Sequence, residues 1–121
     1  MPAKIYSISI SGLTPGVVEV EADVSRGLSS FKIVGLGDAS VQESKERVRS
    51  AIKNSDLTYP IQKKIINLAP AEIKKQGTSL DFPIAVSLLI ASKQIPQAQF
   101  NKSILIGELS LNGDLKPIKG I

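Results

Sequence analysis

The sequence has no histidine, no cysteine and no tryptophan, and its aromatic residues are two tyrosines and three phenylalanines in 121 positions. Without histidine or cysteine there is no zinc site of the usual kind, no Cys-His pair and no Ser-His-Asp triad. Carboxylates, lysines and hydroxyls remain as the chemical groups. The lack of cysteine also excludes a disulfide framework and fits a reducing, cytoplasmic compartment. Long apolar runs are absent too. The longest, Ile84 to Ala91, is interrupted by Ser87 and is far too short to cross a bilayer, so no membrane partner is expected. The opening residues, MPAKIYSISISG, carry one lysine and alternate polar with apolar, unlike a signal peptide. No G-x-x-x-x-G-K-[ST] loop occurs, so these residues by themselves are not a P-loop ATPase.

What is present is ordinary for a globular chain, with 42% hydrophobic and 21% charged residues. The length suits a single domain over residues 1–121 with a real core. The net charge of +4 is mild, usually a solubility device, and leaves a nucleic-acid surface as the alternative.

Residues 4–11 alternate, with Ile5, Ser7 and Ser9 on one face and Tyr6, Ile8 and Ile10 on the other, which predicts a strand. GLTPG is a turn by composition. In VVEVEADV, Val18, Val20, Ala22 and Val24 oppose Glu19, Glu21 and Asp23, so the first two segments should pair as a hairpin. The three carboxylates, spaced by two along a strand, read as its solvated face rather than a metal site. FKIVGL supplies a third strand. GDASVQESKERVRSAIKNSD predicts a helix, with Ser40 and Glu43 as a capping box, Val41, Val48, Ala51 and Ile52 as the apolar stripe, and Glu43 with Arg47 as an i,i+4 pair. KKIINLAP reads as a short, mostly buried strand. A helix over roughly Leu80 to Lys93, with Pro83 in its first turn, is apolar nearly all round and belongs at the centre of the core. Two last strands flank the hairpin signal Asn112-Gly113. The order βββαβαββ implies an α/β two-layer sandwich with helices packed on a mixed sheet.

Two features invite functional readings. Lys45, Arg47, Arg49 and Lys53 lie on the exposed side of the first helix, and Lys63, Lys64, Lys74 and Lys75 are further cations, all candidates for DNA contact. Interleaved Glu43 and Glu46 make a plain solvated face the commoner meaning of such a row. Ser79 precedes the second helix, where a serine caps free backbone amides, and where a nucleophile would also gain from the helix dipole. Without histidine, that nucleophile would need a lysine of lowered pKa as its base. GLGDAS imitates a dinucleotide fingerprint, but Ser40 replaces the third glycine and Asp38 opposes a pyrophosphate.

Four longer stretches, SRGLSSFKIVGL, ESKERVRSAI, NLAPAEIKKQGTSLDFPIA and GELSLNGDL, together resemble the N-terminal domain of the ComM/YifB family of magnesium-chelatase-like AAA+ ATPases. The resemblance spans nearly the whole chain. It implies the fold of the Lon proteolytic domain, within the ribosomal protein S5 domain 2-like class. On that likeness KKQGTSLD occupies the place of the nucleophile segment in Lon, and Ser79 the place of its serine. The lysine of that dyad would fall just after a stretch resembling GELSLNGDLKPIKGI, past Ile121, where the family carries an apolar residue. Leu80 and Asp81 replace the small residues that follow the serine in Lon. Ser79 is therefore expected to be a vestigial catalytic position kept as a helix cap.

The same resemblance implies a non-catalytic accessory domain, with a Walker-type ATPase expected beyond residue 121. No cofactor is expected on these residues, and ATP with Mg2+ on the full-length protein. The implied partners are DNA and further copies of the protein in a ring, a hexamer by the family pattern. The implied setting is DNA recombination and branch migration during natural transformation. A Lon-like Ser-Lys peptidase and a magnesium-chelatase-related subunit are the alternatives.

Overall fold

The computed structural model describes residues 3–9, 16–35, 39–70, 80–101, 103–113 and 115–116. Strands β1 (Ala3–Ser9), β2 (Gly16–Ser25), β3 (Ser30–Val34) and β4 (Lys63–Ala69) form one sheet in the order β1-β2-β4-β3. β1 and β2 pair antiparallel with Ile5 opposite Val20, β2 and β4 antiparallel with Val20 opposite Leu68, and β3 and β4 parallel with Ile33 opposite Ile66. The sheet is therefore mixed, as the sequence implied. Alternation assigns its faces. Ala3, Ile5, Ser7, Val18, Val20, Ala22, Ile33, Ile66 and Leu68 turn inward, while the acidic row of β2 lies on the opposite face. There Glu19 meets Lys4 at 2.8 Å and Glu21 accepts a hydrogen bond from the Asn67 amide at 3.4 Å.

Helices α1 (Ala39–Asn54) and α2 (Asp81–Ala91) cover the inward face. In α1 the buried stripe is Val41, Ser44, Val48, Ala51 and Ile52. The helix begins at Ala39, ahead of Ser40, so Ser40 stands in the first turn rather than at the cap, and the predicted capping box is displaced. In α2 every residue from Pro83 to Ile90 is buried, which matches a helix apolar on all sides. Ser87 is tolerated there because its hydroxyl donates to the Ile84 carbonyl at 2.7 Å, and Ser44 does the same to Val41 at 2.6 Å. The residue capping α2 is Leu80, which makes no side-chain cap hydrogen bond. The predicted cap, Ser79, lies outside the described residues, together with Lys74 and Lys75.

A 3-10 turn (Gln97–Phe100), which the sequence did not signal, leads toward the outer edge of β1. There the Leu105 amide donates to the Tyr6 carbonyl at 2.8 Å, and the Ser7 hydroxyl donates to the Leu105 carbonyl at 2.7 Å. β5 (Glu108–Leu109) and β6 (Leu115–Lys116) form a separate two-stranded sheet. Their turn closes through the Gly113 amide donating to the Ser110 carbonyl at 3.0 Å. Asn112 and Gly113 thus occupy its last two positions rather than the centre of a two-residue hairpin. Gly35 sits at φ +110°, where an added Cβ would stand 2.0 Å from the Leu68 carbonyl oxygen, so no side chain fits there.

Candidate nucleic-acid interface

The basic residues of α1 separate into two groups by helical geometry. At about 100° per residue, positions 45, 49 and 53 lie within about 80° of one another, and position 47 lies about 120° or more away. They border the buried stripe on different flanks. Lys45, Arg49 and Lys53 overlook the ends of β3 and β4 together with the segment before β4. Arg47 faces α2.

Arg47 is not the exposed cation that the sequence suggested. Its guanidinium grips the Asp81 carboxylate in a two-pronged contact, Nε to Oδ2 at 2.5 Å and Nη2 to Oδ1 at 3.2 Å. Nη2 also donates to the Ser40 carbonyl at 2.6 Å, and Glu43 approaches at 3.7 Å. The Asp81 side chain is 1% exposed and that of Arg47 22%. This pair fastens the first turn of α2 to α1, which is a structural task.

Lys64 is the opposite case. In β4 it shares its side of the strand with Ile66 and Leu68, so the pleat turns it inward, and only 2% of it is exposed. Its register neighbour on β3 is Phe31. The ammonium lies 5.0 Å from the centre of the Tyr59 ring and 5.9 Å from that of Phe31, close enough for cation–π attraction. Nζ donates to the Gln62 carbonyl at 2.8 Å. Arg49 stands 6.0 Å from the Tyr59 ring centre. Burial, and secondarily the Arg49 charge, push the Lys64 pKa below its usual value. Burial raises the Tyr59 phenol, with Arg49 acting against it.

These groups line a cavity of about 310 Å³ bounded by Ser29, Ser30, Phe31, Lys45, Glu46, Arg49, Lys53, Tyr59, Ile61 and Lys64. Four of the cations singled out in the sequence, Lys45, Arg49, Lys53 and Lys64, therefore meet in one recess, accompanied among the described residues by a single carboxylate, Glu46. Lys63 points to the other side of β4 and is exposed, and Arg47 belongs to the other flank of α1. Sequence reasoning passed over Phe31, Tyr59 and Ile61. One signal was available: a lysine on the same side of a predicted strand as Ile66 and Leu68.

Among the described residues no group of three acidic, histidine or cysteine side chains converges as a metal site, and no helix is long and apolar enough to cross a membrane.

Residues 20–121, which contain the whole recess, match the family described as subunit ChlI of Mg-chelatase. The chain belongs to this family. It is 40% identical over 116 residues to the uncharacterized protein YifB of Escherichia coli, covering 96% of this chain and 23% of that protein. It is 36% identical over 119 residues to the competence protein ComM of Haemophilus influenzae, covering 98% of this chain and 23% of ComM. An uncharacterized protein of Mycobacterium tuberculosis is 36% identical over 118 residues, covering 98% of this chain and 24% of that protein. The ComM/YifB membership read from the four sequence stretches is thereby shown. The chain spans about a quarter of the length of these relatives.

Proposed function

We propose that this domain is a non-catalytic accessory module of a ComM-like AAA+ ATPase, and that it holds DNA through the Lys45–Arg49–Lys53 flank of α1. The observation that carries this reading is the convergence of those three cations along one recess, with Glu46 as the sole carboxylate among the described residues that line it. Along α1 the three residues span eight positions, about 12 Å, enough to follow a short run of backbone phosphates. Arginine supplies a two-pronged phosphate contact and the lysines supply point charges. Such contacts position a strand without reading its sequence. ATP with Mg2+ is assigned to the remainder of the full-length protein, which also assembles the ring, a hexamer in this reading. The competence name of one relative supports a role in recombination during transformation.

The test is fluorescence anisotropy of this chain with single-stranded and forked DNA at several salt concentrations. Binding should be weak and indifferent to sequence, with a log-log salt slope of about −2 to −3 for three phosphate contacts. Replacing Lys45, Arg49 and Lys53 together by glutamine should flatten the slope toward zero. Flat anisotropy at low salt for the unmodified chain would leave the module with a role in assembly alone. The purified chain should also lack ATP hydrolysis.

A further inference from the structure

The three cations on α1 are enough to explain contact with a DNA backbone; Lys64 is not needed for it. Lysine is almost never fully buried without a charged partner, because desolvating the ammonium is costly. Yet Lys64 is 2% exposed, and among the described residues no carboxylate lies within ion-pair distance of it. Its hydrogen bond to the Gln62 carbonyl uses one of three donors. Arg49 approaches the same ring of Tyr59 and adds repulsion. Among the described residues, then, the recess ends on a buried cation without a counter-charge.

We propose that this recess is a subsite for a phosphomonoester, with Lys64 at its floor and Arg49 at its side as the two anchoring cations. A terminal phosphate carries close to two negative charges near neutral pH and three strong acceptor oxygens. An internal phosphodiester carries one charge, and its chain must leave in both directions, which suits the open row on α1 better than a recess. Lys45 and Lys53 line it from α1, and Ser29 and Ser30 line it where β3 begins. Phe31, Tyr59 and Ile61 provide apolar wall, and a cavity of about 310 Å³ has room for the attached sugar as well as the phosphate. Two sources share this chemistry: the phosphorylated end of a DNA strand and a free nucleoside monophosphate. The first of them rests on the DNA reading above; the site itself does not.

Two measurements on the intact chain decide it. The first is NMR of the lysine side chains during titration with inorganic phosphate and then with a nucleoside 5′-monophosphate. The Lys64 resonances should move, while those of Lys63, next in sequence but on the other side of the strand, should stay. The second compares one single-stranded oligonucleotide with a 5′-phosphate and with a 5′-hydroxyl, labelled at the 3′ end, by anisotropy. The phosphorylated strand should bind about tenfold more tightly, the scale of one charge-assisted hydrogen bond. Lys64→Met should erase that preference and keep the salt-dependent binding of the hydroxyl strand. Arg49→Gln, at an exposed position, should reduce the preference and serves if Lys64→Met folds poorly. A Lys64 signal indifferent to both phosphates overturns the subsite. A responding Lys64 with two equally bound oligonucleotides keeps the subsite and assigns it to free nucleotides. If neither oligonucleotide binds, the DNA reading fails and the phosphate titration alone decides the subsite.

Discussion

Arg47 and Lys64 are both cations drawn into the protein, one on each side of α1, and they are solved in opposite ways. Arg47 has a buried carboxylate, Asp81, held in a two-pronged contact with a backbone carbonyl added. Lys64 has two aromatic rings, one carbonyl and another cation nearby. A basic stretch in a sequence thus mixes two kinds of residue, those whose charge is already satisfied by the fold and those whose charge remains for a ligand. The distinction lies in the partner, since the side chains alone carry the same sign.

The comparison breaks most visibly at Arg47. Arg47→Met removes the two-pronged guanidinium contact from the buried Asp81 carboxylate, and the expected loss is about 3 kcal/mol or more in urea unfolding. A loss below about 1 kcal/mol would mean that water or the helix dipole satisfies Asp81 and that the pair is incidental. Lys64→Met should differ in sign. Removing an unpaired ammonium while keeping its apolar stem between the rings should leave stability unchanged or raise it by up to about 1 kcal/mol. A loss as large as that at Arg47 would show that cation–π contact is the whole purpose of Lys64.

Smaller, and more diagnostic, is the pH dependence. The folded pKa of Lys64 lies below the unfolded value of 10.5. Between the two, the unfolded chain holds a proton that the folded chain lacks, so this group makes stability rise with pH across that window. The penalty is fully present at lower pH. The advantage of Lys64→Met over the unmodified chain should therefore shrink as urea melts are repeated at rising pH up to about 10.5, and phosphate binding should weaken in the same direction. Tyr59, raised by burial, acts in the opposite direction above about pH 10, since the folded chain then keeps a proton the unfolded chain has lost. The smallest effect is expected for the triple change of Lys45, Arg49 and Lys53 to glutamine, within about 0.5 kcal/mol of the unmodified chain in a thermal melt. A larger loss would make the α1 row part of the fold rather than a surface held for DNA.

The strand alternations of β1 and β2, the stripe of α1 and the all-round apolar character of α2 were readable because pleat and helix impose periods of 2 and 3.6 on any sequence that buries one face. Element ends were less so. Ser40 and the Asn112-Gly113 pair are good local signals, yet the helix already includes Ala39 and the turn is set differently. Backbone caps and turns compete with the packing around them.

By itself, then, the sequence determined the order of the elements, the inward faces, the family, and the absence of histidine and cysteine chemistry. Each of these depends on residue identity or on spacing along the chain. Tertiary structure decided which cations are taken and which remain. Asp81 reaches Arg47 from 34 residues away, and Phe31, Arg49, Tyr59 and Lys64 come from two strands, a helix and a connecting segment. Charges and rings act over a few ångströms of space, and sequence distance carries no information about that separation until the sheet and helices have set it.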